Sequence, residues 1–236
     1  MALRSDIDVI VFDTFGTVVD WRGSIARDLG AWGIANGIHL DWIEFADKWR
    51  ADYDPQKARV RRGELPWTDL DVLNRESLVK VAREVGLKLT QTQIDHVNSV
   101  WERLDPWPDS VEGLLRLRAK YIIGPLSNGN VAQLLRMAKR AKIPWDHIFS
   151  CELFRHYKPD PETYLGVCKM MRLPPERVMM CAAHNYDLSA ARKCGLKTAF
   201  VLRPTEHGPK QTTDLTPTEE WDVVASDFTA LANALT

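Results

Sequence analysis

The segment from Ile7 to Thr17 constrains the fold most, because its pattern predicts a buried strand that ends in a carboxylate. The run Ile7–Phe12 is largely apolar and β-branched, which is typical of a strand covered on both faces. Asp13 follows it, and Gly16 lies where the chain must turn. In open α/β sheets ligands bind beyond the carboxyl ends of the strands, so Asp13 is predicted at the mouth of a site. It could act there as a base, a metal ligand or a nucleophile, or it could simply cap the turn.

Beyond residue 120, apolar runs alternate with helical segments. Strands separated by single helices require right-handed crossovers, which predicts an α/β fold with a doubly wound parallel sheet. The predicted strands are Tyr121–Leu126, His147–Cys151, Arg177–Ala183, Thr198–Leu202 and Trp221–Ala225. The predicted helices are Val111–Lys120, Val131–Ala141, Pro161–Met171, Leu188–Cys194 and Phe228–Leu235.

Residues 21–105 show helical periodicity and no convincing strand, which predicts an all-helical cap inserted after the first strand. The proline-rich turn from Asp105 to Ser110 marks the return of the chain. Residues 1–20 and 106–236 are therefore predicted to form the core domain, and residues 21–105 the cap domain. The tail from Arg203 to Glu220, rich in Pro and Thr, is predicted to be an ordered loop over the surface or the site.

Charge and cysteine content exclude several classes of function. The net charge of the 236-residue chain is −1, with acids and bases interspersed, so the sequence gives no reason to expect a nucleic-acid or membrane partner. The four cysteines have no metal-binding spacing. We expect a cytoplasmic protein with reduced thiols, because no signal peptide or membrane-spanning run is recognisable.

Three later stretches place polar side chains where a predicted strand ends or a helix begins. Ser127 and Asn128 follow one strand and could bind an anion together with free helix N–H groups, or form a simple N-cap. Lys158 stands between a tyrosine and a proline at a helix start, where a lysine is unfavourable unless it faces an anion. His184 and Asp187 follow another strand, and their simpler interpretation is a turn histidine and a helix cap.

Taken in order, these stretches resemble the four motifs of the haloacid dehalogenase superfamily. That superfamily has a nucleophilic aspartate, a Ser or Thr, a lysine and then an acid, which here correspond to Asp13, Ser127, Lys158 and Asp187. The resemblance covers essentially the whole chain, including a helical cap inserted after the first motif. It implies a Rossmann-like α/β core.

Most members of that superfamily are magnesium-dependent phosphatases, and two motifs here depart from theirs. Phe15 occupies the position of the phosphatase general acid, and a phenyl ring cannot transfer a proton. Ala182 and Ala183 occupy the positions of a Gly-Asp pair that supplies a metal carboxylate. Magnesium prefers six oxygen ligands in near-octahedral geometry, so we expect neither a metal nor another cofactor.

The same departures resemble the L-2-haloacid dehalogenases, also called haloacid dehalogenase type II. Their first motif is similar to the run from Asp13 to Thr17, Tyr164 matches a tyrosine one turn after their lysine, and Trp49-Arg50 resembles their halide-contacting pair in the cap. By this resemblance, the catalytic set is Asp13, Thr17, Ser127, Lys158, His184 and Asp187, and the substrate- and halide-binding set is Phe15, Trp49, Arg50, Asn128 and Tyr164.

The fourth motif differs from that family at His184, where an asparagine is usual, and at two missing serines. Similar histidine-bearing motifs occur in members that release fluoride. His184 could donate a hydrogen bond to a leaving fluoride or help to orient water, and both alternatives stay open at this point.

The resemblance implies hydrolysis of short 2-haloalkanoic acids to 2-hydroxy acids. Asp13 would form an aspartyl ester, with Ser127 holding the substrate carboxylate and Arg50 and Asn128 stabilising the halide. Asp187, alone or with His184, would then activate water. A small-molecule haloacid is the expected partner, and a homodimer is expected because relatives often dimerise. The alternatives are a magnesium-dependent phosphatase of the same fold and a non-catalytic binding protein.

Overall fold

A six-stranded parallel sheet forms the centre of the molecule, and the strand that precedes Asp13 lies inside it. The computed structural model describes residues 7–236. The strands are β1 (Val9–Phe12), β2 (Val19–Asp20), β3 (Asp105–Pro106), β4 (Ile122–Ser127), β5 (Phe149–Ser150), β6 (Val178–Ala182), β7 (Lys197–Val201) and β8 (Val223–Ala225). The order in the sheet is β5-β4-β1-β6-β7-β8, and all neighbouring strands are parallel. The predicted doubly wound α/β fold is confirmed.

The residues of β1 alternate between two apolar layers. Ile10 and Phe12 pack into one buried cluster and Val9 and Val11 into the other, and all four are fully buried. A strand covered on both faces therefore reads as a continuous apolar run. Because the strands are parallel, the residues after β1, β4 and β6 meet at one edge of the sheet, where Asp13 lies.

Eleven α-helices accompany the strands within the described residues. They are α1 (Trp21–Ala35), α2 (Trp42–Ala51), α3 (Tyr53–Arg61), α4 (Leu70–Glu84), α5 (Gln91–Asn98), α6 (Ser110–Arg118), α7 (Val131–Ala141), α8 (Cys151–Phe154), α9 (Pro161–Met171), α10 (Asn185–Lys193) and α11 (Phe228–Leu235). The predicted bounds of α7, α9 and α11 are correct. Across residues 7–236, no helix combines the length and the apolar character needed to cross a bilayer.

Helix α10 begins at Asn185, three residues before its predicted start. His184 occupies the cap position and Asp187 lies in the first helical turn. A carboxylate in this turn interacts favourably with the positive end of the helix dipole. The predicted start at Leu188 was therefore wrong, because the polar residues before it carry no apolar periodicity, and the simpler interpretation of Asp187 as an N-cap is excluded.

Helices α1–α5 lie between β2 and β3, which pair as a short antiparallel ribbon. Val19 is opposite Pro106, and Asp20 is opposite Asp105. The sequence did not predict this ribbon, because strands of two residues are too short to show alternation. The ribbon joins the start and the end of the helical insert next to the predicted boundaries. The division into core and cap domains stays a prediction.

A line of aromatic rings connects the insert with the turn after β1. Trp42 contacts Phe45, Phe45 contacts Trp49, and Trp49 contacts Trp101, with ring centroids 5.4–6.0 Å apart. Trp101 then contacts the ring of Phe15 edge to face at 5.5 Å. Edge-to-face pairs of this kind are favourable beyond their buried area. Phe15 thus serves as an apolar anchor for the insert beside Asp13.

Candidate active site

A buried lysine bridges two aspartates at the carboxyl edge of the sheet. Lys158 Nζ donates to Asp13 Oδ1 at 2.7 Å and to Asp187 Oδ2 at 2.6 Å, and all three side chains are buried. Burial alone would raise the pKa of Asp13, but the Lys158 ammonium and the nearby His184 ring hold it well below its usual range. The two carboxylates raise the pKa of Lys158 well above its usual value, against the effect of burial. Asp13 is therefore an ionised carboxylate and Lys158 is its counter-ion.

The turn after β1 holds Asp13 through Thr17. Thr17 Oγ1 donates to Asp13 Oδ2 at 2.8 Å and accepts the N–H of Ala183 at 2.9 Å. The backbone N–H of Asp13 continues the sheet by donating to the carbonyl of Cys181. The Asp13 carboxylate is thus held by two adjacent strands, which reduces its freedom before any ligand binds.

The polar end of β4 supports Lys158 and reaches the insert. Asn128 Oδ1 accepts the backbone N–H of Lys158 at 2.9 Å, and Asn128 Nδ2 donates to the Tyr53 hydroxyl at 3.0 Å. Ser127 Oγ accepts the N–H of Gly129 at 3.2 Å, so its hydroxyl hydrogen can point to a ligand. Asn128 therefore connects the core with helix α3, while Ser127 lies beside this network.

Tyr164 lies one helical turn beyond the start of α9 and contacts the second aspartate. Its hydroxyl donates to Asp187 Oδ1 at 2.5 Å, and both residues are fully buried. The other oxygen of Asp187 accepts from Lys158. Tyr164 therefore orients Asp187, and its predicted substrate contact stays a prediction.

His184 lies between Asp13 and a carboxylate that the sequence did not reveal. Its Nδ1 is 3.1 Å from Asp13 Oδ2, although the ring is not oriented for a regular hydrogen bond there. Its Nε2 is 2.9 Å from Oε2 of Glu206, which is also buried. Burial alone would lower the pKa of His184, but Glu206 and Asp13 raise it well above its ordinary value. In the free protein, His184 is therefore an imidazolium between two carboxylates.

The predicted halide pair lies on helix α2. Arg50 stacks on the Tyr53 ring, with Cζ 3.8 Å from the ring centroid, and its buried Nη1 has no hydrogen-bond partner in the protein. The Trp49 indole N–H donates to the backbone carbonyl of Asn74 at 2.8 Å. Arg50 therefore offers an unused donor for an anion, whereas Trp49 can offer only its ring.

Two cavities open next to these groups. One, of about 400 Å³, is lined by residues that include Trp21, Arg50, His184 and Tyr186. The other, of about 280 Å³, is lined by Lys158, Tyr186 and basic residues of α3. Both volumes suit a small molecule, and cationic groups line both.

Comparison with known proteins identifies the family. A family model described as haloacid dehalogenase-like hydrolase matches residues 7–195. The chain belongs to the haloacid dehalogenase-like hydrolases.

Relatives of this haloacid dehalogenase-like hydrolase include two proteins with solved structures. Crystal structures of a defluorinating L-2-haloacid dehalogenase and of a second L-2-haloacid dehalogenase are each 48% identical to the chain, with a TM-score of 0.95. Each covers 97% of this chain, which in turn covers 95% and 98% of theirs. The (S)-2-haloacid dehalogenase 4A of Burkholderia cepacia is 28% identical over 239 aligned residues, covering 94% of this chain and 96% of its own. The resemblance inferred from the motifs is confirmed.

The groups around Asp13 of this haloacid dehalogenase-like hydrolase do not suit magnesium. The Lys158 ammonium contacts both carboxylates, in the position that a bridging cation would need. Phe15, Ala182 and Ala183 add no side-chain oxygen. Within residues 7–236 no group of three His, Cys, Asp or Glu side chains is arranged to hold a metal ion. The residues present therefore do not fit a magnesium ion.

The structure brings most of the predicted site residues of the hydrolase into one hydrogen-bonded network, but not all of them. Phe15 and Trp49 lie in the aromatic line, and Arg50 faces the larger cavity from the insert. Glu206 was missed, because an acid in a loop rich in Pro and Thr has no periodic signal. The network comprises Asp13, Thr17, Asn128, Lys158, Tyr164 and Asp187, with His184 beside it.

Proposed function

We propose that the protein hydrolyses short L-2-haloalkanoic acids, haloacetates included, to 2-hydroxy acids through an aspartyl ester on Asp13. The observation that carries the proposal is the ionised Asp13 held by Lys158 with no proton donor at Phe15. Displacement of halide needs a bare carboxylate and no acid for the leaving group, whereas phosphate-ester cleavage usually needs one. The two relatives at 48% identity, both L-2-haloacid dehalogenases, support the same chemistry.

In the first step, Asp13 attacks the carbon that carries the halogen from the side opposite the halide. The halide leaves with the bonding electron pair, and an ester forms on Asp13. The free Nη1 of Arg50 and the Asn128 amide are the donors available to the halide, and Ser127 can hold the substrate carboxylate. Fixed donors in a site shielded from water stabilise developing charge without reorganising.

In the second step, water attacks the carboxyl carbon of the ester and releases the 2-hydroxy acid. Lys158 stabilises the negative charge that develops on the ester oxygen, because its Nζ lies 2.7 Å from Oδ1 of Asp13. Asp187 accepts from Lys158 on the other side, and Tyr164 in turn donates to Asp187. When the ester is cleaved, the Asp13 carboxylate and its ion pair with Lys158 re-form.

The proposal predicts halide release that resists chelation. Chloroacetate, fluoroacetate and the two enantiomers of 2-chloropropionate are incubated with the enzyme and a chelator, and halide and hydroxy acid are measured. We expect release from chloroacetate and from the L enantiomer, and none with Asp13→Asn. Fluoride among the products would extend the activity to the reaction of the defluorinating relative.

A parallel assay with an aryl phosphate and added magnesium tests the phosphatase alternative. Asp13→Asn serves as the control in both assays, because it removes the nucleophilic oxygen and keeps the shape. Phosphate release without halide release would refute the proposal. If the wild-type protein released neither halide nor phosphate, the result would favour the alternative of a non-catalytic binding protein.

A further inference from the structure

Glu206 is a buried acid that the two steps above do not use. It belongs to the loop after β7, yet it reaches the active site. Its Oε2 is 2.9 Å from His184 Nε2, and its Oε1 accepts the Trp21 indole N–H at 3.0 Å. Burial alone would raise the pKa of Glu206, but the neighbouring His184 lowers it below its usual value. A buried carboxylate is costly unless it is paired, and here both oxygens have partners.

The turn after β1 is shaped to admit this carboxylate. Gly16 has a φ of +91°, and a Cβ there would lie 2.0 Å from Oε1 of Glu206. Any side chain at position 16 would displace Glu206. The turn after β1 therefore leaves room for the Glu206 carboxylate, which the loop after β7 brings against Gly16.

The contact with Glu206 determines which nitrogen of His184 faces Asp13. An ionised carboxylate only accepts hydrogen bonds, so Nε2 of His184 carries a hydrogen. Nδ1 is then the nitrogen that can lose its proton, and it lies 3.1 Å from Asp13 Oδ2 with no regular hydrogen-bond partner. Nδ1 therefore lies beside Asp13 without a regular hydrogen bond, where it can accept a proton from a water molecule once Asp13 is esterified.

We propose that Glu206 is a positioning residue that fixes His184 as the base for hydrolysis of the aspartyl ester. This inference rests on the proposed function and extends its second step. The carboxylate acts through His184, by holding the tautomer and the orientation that leave Nδ1 beside the ester. His184 itself contacts the reacting water.

Formation of the ester changes the charge state of His184. In the free protein Asp13 and Glu206 both stabilise the imidazolium, but esterification removes the charge of Asp13. His184 then loses its Nδ1 proton to solvent more readily, because one of its two anionic partners is gone. The other titratable or cationic side chains that line the same cavity are Arg50, Asp54, Tyr186, His207 and Asp214, together with Asp47.

The hydrolysis then balances without a further reactant. Neutral His184 takes a proton from water at Nδ1, and the water oxygen bonds to the carboxyl carbon of Asp13. The bond from that carbon to the alkyl oxygen breaks, and the leaving alkoxide takes the proton from His184 to become the hydroxy acid. The carboxyl group left on Asp13 then protonates His184, which restores the resting ion pair.

The same geometry disfavours His184 as a donor to the leaving halide. Displacement places the halide on the side of the carbon opposite the attacking Asp13 oxygen. His184 Nδ1 lies beside an Asp13 oxygen, at 3.1 Å, and is therefore on the wrong side of the carbon. Of the two roles considered for His184, the one on water fits the structure.

The test separates the two half-reactions in the full-length protein. With chloroacetate, rapid-quench measurements follow chloride and glycolate, and mass spectrometry of the intact protein follows the ester. For Glu206→Gln we expect a chloride burst of about one equivalent per site, accumulation of the ester, and glycolate formation slowed about 10²-fold. His184→Asn should accumulate the ester as well. Glu220→Gln changes an exposed acid of the same loop and should behave as wild type.

The pH dependence distinguishes positioning from a merely structural role. Glu206 raises the pKa of His184, so its loss lowers that pKa, and the acid limb of glycolate formation should move to lower pH in Glu206→Gln. Equal loss of the chloride burst and glycolate, or an unchanged profile, would overturn the inference. If Glu206→Gln does not fold, absence of ester in folded His184→Asn would overturn it instead. Absence of chloride release by the wild type would reject the proposed function itself.

Discussion

Replacement of Lys158 by methionine tests the electrostatics of the site most directly. Methionine keeps an unbranched side chain of similar length and removes only the charge and the donors. Asp13 and Asp187, whose oxygens lie 2.7 and 2.6 Å from Nζ, would then face each other across a buried gap without a cation. Two like charges in such a place oppose ionisation of both.

The magnitude follows from the distances. Unit charges 2.7 Å apart attract by about 6 kcal/mol at an effective dielectric constant of about 20. Desolvation of the ammonium offsets part of this, and breaking one side of a buried pair costs about 3–5 kcal/mol in measured cases. We expect a loss of about 3–5 kcal/mol in the free energy of unfolding of Lys158→Met at neutral pH. We also expect kcat/KM for halide release to fall about 10²–10³-fold, as it does when a fixed electrostatic donor is removed.

The sign of the pH dependence is a second observable. In the wild type the pKa of Asp13 is depressed. The contribution of ionised Asp13 to the free energy of unfolding is therefore present at neutral pH and is lost only as pH falls through that depressed pKa. In Lys158→Met burial and Asp187 would raise the pKa of Asp13 above its unfolded value, so stability should increase as pH falls. The acid limb of kcat/KM should move to higher pH.

Urea unfolding at several pH values and a halide-release profile measure both effects. Lys169→Met, at an exposed position of α9, is the matched control and should change neither. A Lys158→Met protein that kept the wild-type kcat/KM and the wild-type pH profile would refute the assignment of Lys158 as the counter-ion of Asp13.

Three further predictions concern neighbouring residues. The pKa of His184 is raised, so its ion pairs should make the wild type more stable than His184→Asn. In urea unfolding across pH, this difference in the free energy of unfolding should be full below about pH 6.5 and vanish as pH rises through the raised pKa. Tyr164→Phe should cost about 1–3 kcal/mol in the same assay, because one buried oxygen of Asp187 loses its donor; an unchanged midpoint would contradict this. Gly16→Ala should cost at least about 1–3 kcal/mol, because its backbone is left-handed and Glu206 occupies the space, and a thermal melt matching wild type would exclude that clash.

The sequence was most informative where burial imposes a pattern. The strand before Asp13 is apolar throughout because both faces are covered, and its carboxyl end therefore marks the site. The bounds of helices α7, α9 and α11 were predicted correctly, because the burial of one helix face also imposes a sequence pattern. The start of α10 and the β2–β3 ribbon were not found, because short or polar segments carry no periodicity.

The motifs also placed the chemistry before the structure did. Asp13, Lys158 and Asp187 were expected in one site because parallel strands share their carboxyl edge. The structure places both aspartates within hydrogen-bond distance of Lys158. The roles assigned to Ser127 and Asn128 stay predictions. The indole N–H of Trp49, by contrast, is already used inside the insert.

The sequence by itself determined that an aspartate, Asp13, ends a buried strand, that Lys158 stands at a helix start, and that Phe15 supplies no acid, because these follow from residue identity at the ends of strands and helices. Tertiary structure alone decided that Glu206 would reach His184 across 22 positions of sequence and that Arg50 would keep an unused donor. The reason is physical. Local periodicity records which residues are buried, but the meeting of two polar groups from different loops depends on how the whole chain packs.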